Sequence, residues 1–111
     1  MNKRRMRMAK YKGTTDLKVI REIQTLFIDN LIAYKPNVRH GSIKRVIKNC
    51  YKIADLMRTL ESDEDTFASE WVRKETQQLE DKWHNSKYRD FGVEYEGVQV
   101  AIHNQLRDIG F

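Results

Sequence analysis

The chain has 111 residues, of which 40% are hydrophobic and 33% charged, and it carries a formal net charge of +5. This length and balance fit one small globular domain with a single core rather than two domains. No apolar run reaches the roughly 18–20 residues of a membrane span, and one Pro and five Gly are too few for the frequent turns of a β-sandwich or barrel. We therefore expect an all-α fold, a small bundle of about four helices, with no membrane partner.

The first residues form a strongly cationic segment. Residues 1–12 contain six Lys or Arg and no acid, show no hydrophobic periodicity, and are followed by Gly13. This pattern predicts a flexible, disordered basic arm over residues 1–13, ahead of a single helical domain over residues 14–111. No apolar stretch of the secretory type follows the arm, and the lone Cys50 has no intramolecular disulfide partner. The expected location is therefore cytoplasmic.

A first helix is predicted between the cap candidates at residues 14–16 and Pro36, because the residue before a proline is disfavoured in the α conformation. Its apolar residues recur at spacings of three and four, which places them on one helical face, and three more widen that face. We expect this helix to be the most buried of the four. The face comprises Leu17, Ile20, Ile23, Phe27, Leu31 and Tyr34, widened by Leu26, Ile28 and Ile32.

A second helix, with Ser42 as its predicted N-cap, has the clearest amphipathic pattern in the chain. Its apolar residues, from Ile43 to Leu60, cluster on one side of the helix. Cys50 belongs to this face and is predicted to be a small core residue. The opposite side carries four cations, which we call the basic stripe. The basic stripe consists of Lys44, Arg45, Lys48 and Lys52.

The second half of the chain predicts two further helices. An acidic connection at residues 61–65 precedes a third helix, expected from Asp65 to His84, since carboxylates favour a helix N-terminus. Residues 93–100 alternate between apolar and polar, which fits a hairpin, but a longer series with helical spacing continues to Ile109. The longer series favours a helix from about Glu96 to Asp108, with residues 90–92 as the loop before it.

The distribution of charge suggests contact with nucleic acid, either DNA or RNA. A helix and a flexible arm that both present cations suit the dense phosphate charge of a polynucleotide. Tyr51 lies beside the basic stripe, where its ring can stack on an unpaired base or simply cover lysine methylenes. The leading hypothesis is therefore a small accessory or regulatory protein that binds nucleic acid mainly through phosphates. The predicted nucleic-acid-binding residues are Arg4, Arg5, Arg7, Lys10, Lys44, Arg45, Lys48, Tyr51 and Lys52.

Two other interpretations of the same charge pattern stay open. A lysine-rich outer face is common on solvated helices, and the acids of the third helix, Glu70, Glu75 and Glu80, offer neutralisation within the fold. Opposite charge on consecutive helices also suits self-association or docking on a charged protein. The alternative function is thus a protein–protein interaction module or homo-oligomer, such as an inhibitor or assembly factor of a mobile element, without nucleic-acid contact.

Catalytic and metal-binding signals are weak throughout the sequence. His40, His84, His103 and Cys50 lack the paired spacing of a zinc site, and the acidic run lacks the calcium-loop pattern. No glycine-rich phosphate loop and no nucleophile-elbow motif occurs. We therefore expect no metal, no cofactor and no enzymatic activity.

Overall fold

The structure is a computed structural model that describes residues 16–34, 40–61, 67–85 and 91–109. These residues form four helices: α1 (Leu17–Ala33), α2 (His40–Leu60), α3 (Phe67–Asn85) and α4 (Gly92–Ile109). The described segments contain no strand, so the predicted all-α bundle is confirmed and residues 93–100 are helical rather than a hairpin. The predicted basic arm, with Arg4, Arg5, Arg7 and Lys10, lies outside the described residues.

The four helices pack in a ring. Each helix lies against the next one in the chain, and α4 returns to α1 through a smaller contact. α1 and α4 run antiparallel, because Phe27 is stacked on His103 while Asn30, one turn further along α1, bonds to Gln99, one turn earlier in α4. The core residues Ile23, Ile53, Leu79, Val98 and Ile102 come from all four helices and have no exposed surface. No described helix combines the length and apolar character needed to cross a membrane.

The helix ends follow local chemistry where caps are available. Asp16 caps α1, as expected from residues 14–16, since its side chain accepts a hydrogen bond from the backbone N–H of Val19 at 3.3 Å. Tyr34 leaves the helix in an extended conformation, with ψ of 130°. This ending, two residues before Pro36, agrees with the restriction that proline places on the residue before it.

Other predicted boundaries were wrong by a few residues. α2 begins at His40, so Ser42 is the third helical residue rather than the cap. Serine is tolerated there because the N–H groups of a first turn have no intrahelical partner. α4 begins at Gly92 rather than Glu96. The described part of α3 begins at Phe67, and its predicted start at Asp65 lies outside the described residues.

The earlier start of α4 has a tertiary cause. Phe91 is buried, and its carbonyl accepts the N–H of Tyr95 at 2.8 Å, which closes the first helical turn. Burial of this aromatic ring stabilises the turn that the sequence pattern had assigned to a loop. Gly92, predicted as loop, is therefore helical.

α1 is not the most buried helix, contrary to the sequence-based expectation. Leu17, Ile28, Leu31 and Ile32 are between 49% and 62% exposed. α1 lies against α2 and, over a smaller area, against α4, so the core covers only the side of α1 that carries Ile23. At about 100° per residue, Ile32 points away from Ile23 by roughly 180°. The prediction was based on the number of apolar residues in α1, and the sequence pattern does not show how many helices pack against it.

Candidate functional site

The four cations of the basic stripe are all exposed on α2, but they differ in their partners. Arg45 donates to both carboxylate oxygens of Asp29 in α1, with 2.9 Å between Nε and Oδ2. Lys52 Nζ lies 3.1 Å from Glu22 Oε1, also in α1. Lys44 and Lys48 form no ion pair with any residue that the structure describes. Two of the four cations are therefore already paired within the fold, and their partners are acids of α1 rather than of α3.

The two ion pairs differ in how firmly they hold their cations. Asp29 also accepts a hydrogen bond from Asn49 Nδ2 at 2.7 Å, and the hydrogen bonds from Arg45 and then Asn49 lower the pKa of its carboxyl. Lys52 and Glu22 are both about half-exposed, and pairs of that kind contribute only about 0–1 kcal/mol. A competing phosphate would therefore displace Glu22 from Lys52 more readily than Asp29 from Arg45.

We expect Arg45→Gln to raise the pKa of Asp29 toward its ordinary value, because it removes the main hydrogen bond that holds the pKa down. The folded-state pKa of Asp29 lies below the unfolded-state value. The pair therefore stabilises the fold above the ordinary aspartate pKa, and this stabilisation is lost as the pH falls through the folded-state pKa. An NMR titration of the Asp29 carboxyl carbon measures the shift. Lys48→Gln is the control, and an equal shift in both variants would contradict direct pairing.

Tyr51 lies between α2 and α3 rather than on the open surface. Its hydroxyl is 2.8 Å from Glu80 Oε1 and 3.1 Å from Gln77 Oε1, both in α3. Burial, followed by the hydrogen bond to the Glu80 carboxylate, raises the pKa of Tyr51 to about 12. The ring is partly buried against the core. Tyr51 thus joins two helices, and an incoming base would have to displace these contacts in order to stack on it.

A buried polar cluster joins α1, α2 and α4. Asn30 is fully buried, and its Nδ2 donates to Gln99 Oε1 at 3.0 Å and to Cys50 Sγ at 3.3 Å. Its Oδ1 accepts from Asn49 Nδ2 at 3.1 Å, and its carbonyl accepts from the Tyr95 hydroxyl at 3.3 Å. We call Asn30, Asn49, Cys50 and Gln99 the Asn30 cluster. Because its polar groups bond to one another across α1, α2 and α4, the cluster fixes how the three helices sit together.

The thiol of Cys50 belongs to this structural cluster. Burial raises its pKa to about 12, although the hydrogen bond from Asn30 opposes the shift. Since the thiolate is the reactive form, the thiol is chemically inert at neutral pH. This environment agrees with the core position expected from the sequence.

We expect the native chain to react with Ellman's reagent at least about 100-fold more slowly than the unfolded chain, because both thiolate formation and access are suppressed at Cys50. Cys50 is the only cysteine, so the absorbance of released thionitrobenzoate reports on this site alone. The same chain in guanidinium provides the control. Similar rates in buffer and in denaturant would show that the thiol is accessible.

The titratable side chains of the described helices do not assemble into a metal centre. No three His, Cys, Asp or Glu side chains in these segments come together in a way that could hold a metal ion. His84 lies beside the ring of Trp83 in α3, whereas His103 lies beside Phe27 at the boundary of α1 and α4. The two described histidine rings are therefore associated with aromatic surfaces in different parts of the bundle.

A groove runs between α1 and α4, where the contact between the two helices is small. Two adjoining depressions that share Phe27 and His103 form it, and we call it the α1–α4 groove. Its apolar lining comes from both helices. The main lining residues are Phe27, Ile28 and Leu31 of α1 with Val100, His103 and Leu106 of α4.

The surface around the groove is unusually apolar. Seven large hydrophobic side chains are exposed on the described helices, and six of them belong to α1 or α4. The seventh is Phe67, on α3. Three of these six, Ile28, Leu31 and Val100, line the groove itself. Clustered exposed apolar side chains mark interaction sites more often than scattered single residues do. The α1–α4 groove is therefore the strongest candidate binding surface among the residues described.

The wide apolar face of α1 is the sequence signal for this surface. Apolar residues extend around more than half the circumference of α1, from Ile23 to the opposite side at Ile32. A helix at the edge of a bundle buries only one stripe. The additional apolar residues therefore imply either a central position, which the prediction assumed, or a second apolar surface.

No family model matches this chain, and no curated protein or solved structure matches it significantly.

Proposed function

We propose that this protein is a helical interaction module that binds an apolar-faced helix in the α1–α4 groove. The observation that carries the proposal is the concentration of six of the seven exposed large hydrophobic residues on α1 and α4. Binding of an amphipathic helix in an apolar groove is a recurring mode of protein recognition, with contacts spaced three, four and seven residues apart. This function is of the same class as the alternative from the sequence, a protein–protein interaction module.

The expected affinity follows from the size of the apolar surface. Complete burial of a Leu, Ile or Val side chain contributes about 1.5–3 kcal/mol, so covering a half-exposed one contributes roughly 1 kcal/mol. Several such side chains line or flank the groove, including Ile28, Leu31 and Val100. After the entropic cost of association, binding on the order of micromolar is expected.

The groove can be tested with a designed peptide probe. A fluorescein-labelled helix with leucine at three- and four-residue spacing, and Lys or Glu elsewhere, is titrated with the full chain while anisotropy is recorded. We expect saturable binding that Leu31→Glu and Val100→Glu each weaken at least about 10-fold, since both place a charge in the groove. Phe67→Glu is the matched control, because Phe67 and Leu31 are both 54% exposed but Phe67 lies on α3. Equal losses in all three variants, or no saturable binding, would refute the proposal.

Nucleic-acid binding is a second candidate, and the observation that favours it is that two α2 cations have no ion-pair partner among the described residues. Lys44 and Lys48 lie one helical turn apart, are exposed and have no described ion-pair partner. The four described segments together contain 11 Lys or Arg and 12 Asp or Glu, so the excess positive charge of the chain resides elsewhere, chiefly in residues 1–12. Two phosphate contacts alone support only weak binding.

The second candidate predicts a defined salt dependence. Affinity for a labelled duplex and a labelled single strand is measured at several salt concentrations. We expect the double variant Lys44→Glu with Lys48→Glu to weaken binding at least about 10-fold and to reduce the logarithmic salt slope by about 2. Lys18→Glu with Lys74→Glu changes the net charge equally and serves as the control. Equal effects of the two double variants would rule out a specific role for the α2 cations.

A further inference from the structure

We propose that the partner at the α1–α4 groove is a second copy of this chain, and that the two copies pack α1 against α1 and groove against groove in a two-fold symmetric dimer. This inference rests on the proposed function, because it names the occupant of the same groove. Three observations support it: the shape of the apolar stripe on α1, the placement of charge along the groove, and the size of the face.

α1 provides both parts of a self-complementary interface. It forms one wall of the groove through Phe27, Ile28 and Leu31. It also carries an outward stripe in which Leu17, Gln24 and Leu31 recur every seven residues, with Ile28 beside them. A seven-residue repeat is the spacing by which one helix packs along another. In a two-fold interface the same surface of both copies meets itself, so one chain must contain both groove and stripe.

The charge along the groove changes sign from one end to the other. α1 and α4 are antiparallel, so the first turns of α1 lie beside the last turns of α4, where Arg21 and Arg107 are exposed. Glu96 is exposed at the opposite end of the groove, beside Leu31. Within the described part of the chain none of these three charges forms an ion pair.

A two-fold axis that crosses the middle of the groove at right angles to α1, within the interface, makes this arrangement complementary. The α1 helix of the second copy then runs antiparallel to the first α1, which places its cationic end over the acidic end of the first groove. Arg21 of each copy consequently lies near Glu96 of the other copy, and the attraction occurs twice. A parallel arrangement would instead place Arg21 near the other copy's cations, which is unfavourable.

The size of the face sets the expected strength of the dimer. α1 has 17 residues, which makes it about 25 Å long. A face of this length and two helices wide covers on the order of 500 Å² per copy, or about 1,000 Å² in total, at the lower end of specific interfaces. The dimer should therefore dissociate in the micromolar range and be visible as a mass that depends on concentration.

Sedimentation experiments on the full chain test this inference directly. Between roughly 5 and 500 µM, we expect the average mass to rise from the 13.3 kDa of one chain toward twice that value. Leu31→Glu and Val100→Glu should each raise the dissociation constant at least about 10-fold. Phe67→Glu should match the natural chain. Circular dichroism confirms that each variant is folded, which is expected because all three side chains are about half-exposed.

A charge exchange tests the two-fold geometry. Arg21→Glu and Glu96→Arg should each weaken self-association, because each creates two like-charge contacts across the interface. An equimolar mixture of these two variants should associate more strongly than either alone, since each mixed dimer pairs Glu with Arg at both ends. The chain that carries both substitutions should likewise recover association. A mixture no stronger than its components would overturn the proposed arrangement.

The outcomes separate this inference from the proposed function. If the chain stays at 13.3 kDa throughout but binds the designed helix in a Leu31-dependent way, the dimer is refuted. The proposed function, binding of a helix in the groove, is then still supported. A chain that neither dimerises nor binds the designed helix overturns both. A dimer that persists in both Leu31→Glu and Val100→Glu uses another surface and also overturns this inference.

Discussion

Asn30→Leu is expected to lower the free energy of unfolding by roughly 3 kcal/mol. Leucine keeps the branched shape of asparagine but is larger, so the loss comes from missing hydrogen bonds and from overpacking rather than from a cavity. The amide of Gln99 loses its donor, and Asn49 loses one acceptor, in a region where Asn30 itself has no exposed surface. A buried polar group left without a partner costs about 1–3 kcal/mol, and neighbours in one cluster reinforce one another.

Urea unfolding followed by circular dichroism measures this loss, and the melting temperature should fall by roughly 10–20 °C. Asn104→Leu is the matched control, because Asn104 lies in α4 at intermediate exposure and its side chain bonds to no other described residue. We expect that variant to change the stability by less than about 0.5 kcal/mol. Equal effects at the two asparagines would mean that the Asn30 cluster is not a stabilising unit.

The second large effect concerns α1. Ile23→Ala should destabilise the fold by about 3–4 kcal/mol, because Ile23 is fully buried and its truncation leaves a cavity. Ile32→Ala, the same change on the same helix, should be neutral or slightly stabilising, because Ile32 is 62% exposed and alanine has the higher helix propensity. The contrast depends only on which side of α1 faces the core.

Denaturant unfolding of both isoleucine variants at low protein concentration checks the contrast without a contribution from self-association. A loss at Ile32 as large as that at Ile23 would mean that both sides of α1 are buried. The exposed apolar surface on which the proposed function depends would then not exist. This pair of variants therefore tests the basis of the functional proposal as well as the fold.

The Asn30 cluster also affects the candidate binding surface. Gln99 bonds to Asn30 on one side and lines the α1–α4 groove on the other. Its Nε2 also lies 3.5 Å from the carbonyl of Phe27, which contributes to the groove lining. The hydrogen bonds of the cluster thus set the separation of α1 and α4. Disruption of Asn30 should weaken helix binding as well as stability.

The sequence predicted the elements of the fold better than their boundaries. Apolar spacings of three and four located all four helices and distinguished a helix from a hairpin at residues 93–100. The cap at Asp16 was recognisable because its chemistry is local. The start of α4 was not, since it depends on the burial of Phe91 by residues distant in the chain. Local signals are sufficient only where local interactions dominate.

The candidate site was less accessible to sequence reasoning. The basic stripe lies on the exposed face of α2 as predicted, but the identity of its ion-pair partners could not be derived from charge counts. The charge pattern pointed to the acids of α3 as partners, whereas Asp29 and Glu22 of α1 hold Arg45 and Lys52. Pairing depends on which helices are neighbours and on their rotation, and neither is encoded in composition.

Helical periodicity, charge content and cap chemistry belong to short stretches of the chain, so the order of the residues was enough to define an all-α protein with a cationic second helix. The exposed side of α1, the lack of described ion-pair partners at Lys44 and Lys48, the inert environment of Cys50 and the α1–α4 groove all required the assembled bundle. Each depends on contacts between residues far apart in the chain. The hydrophobic pattern indicates how much apolar surface a helix has. The arrangement of the neighbouring helices determines how much of that surface remains exposed to a partner.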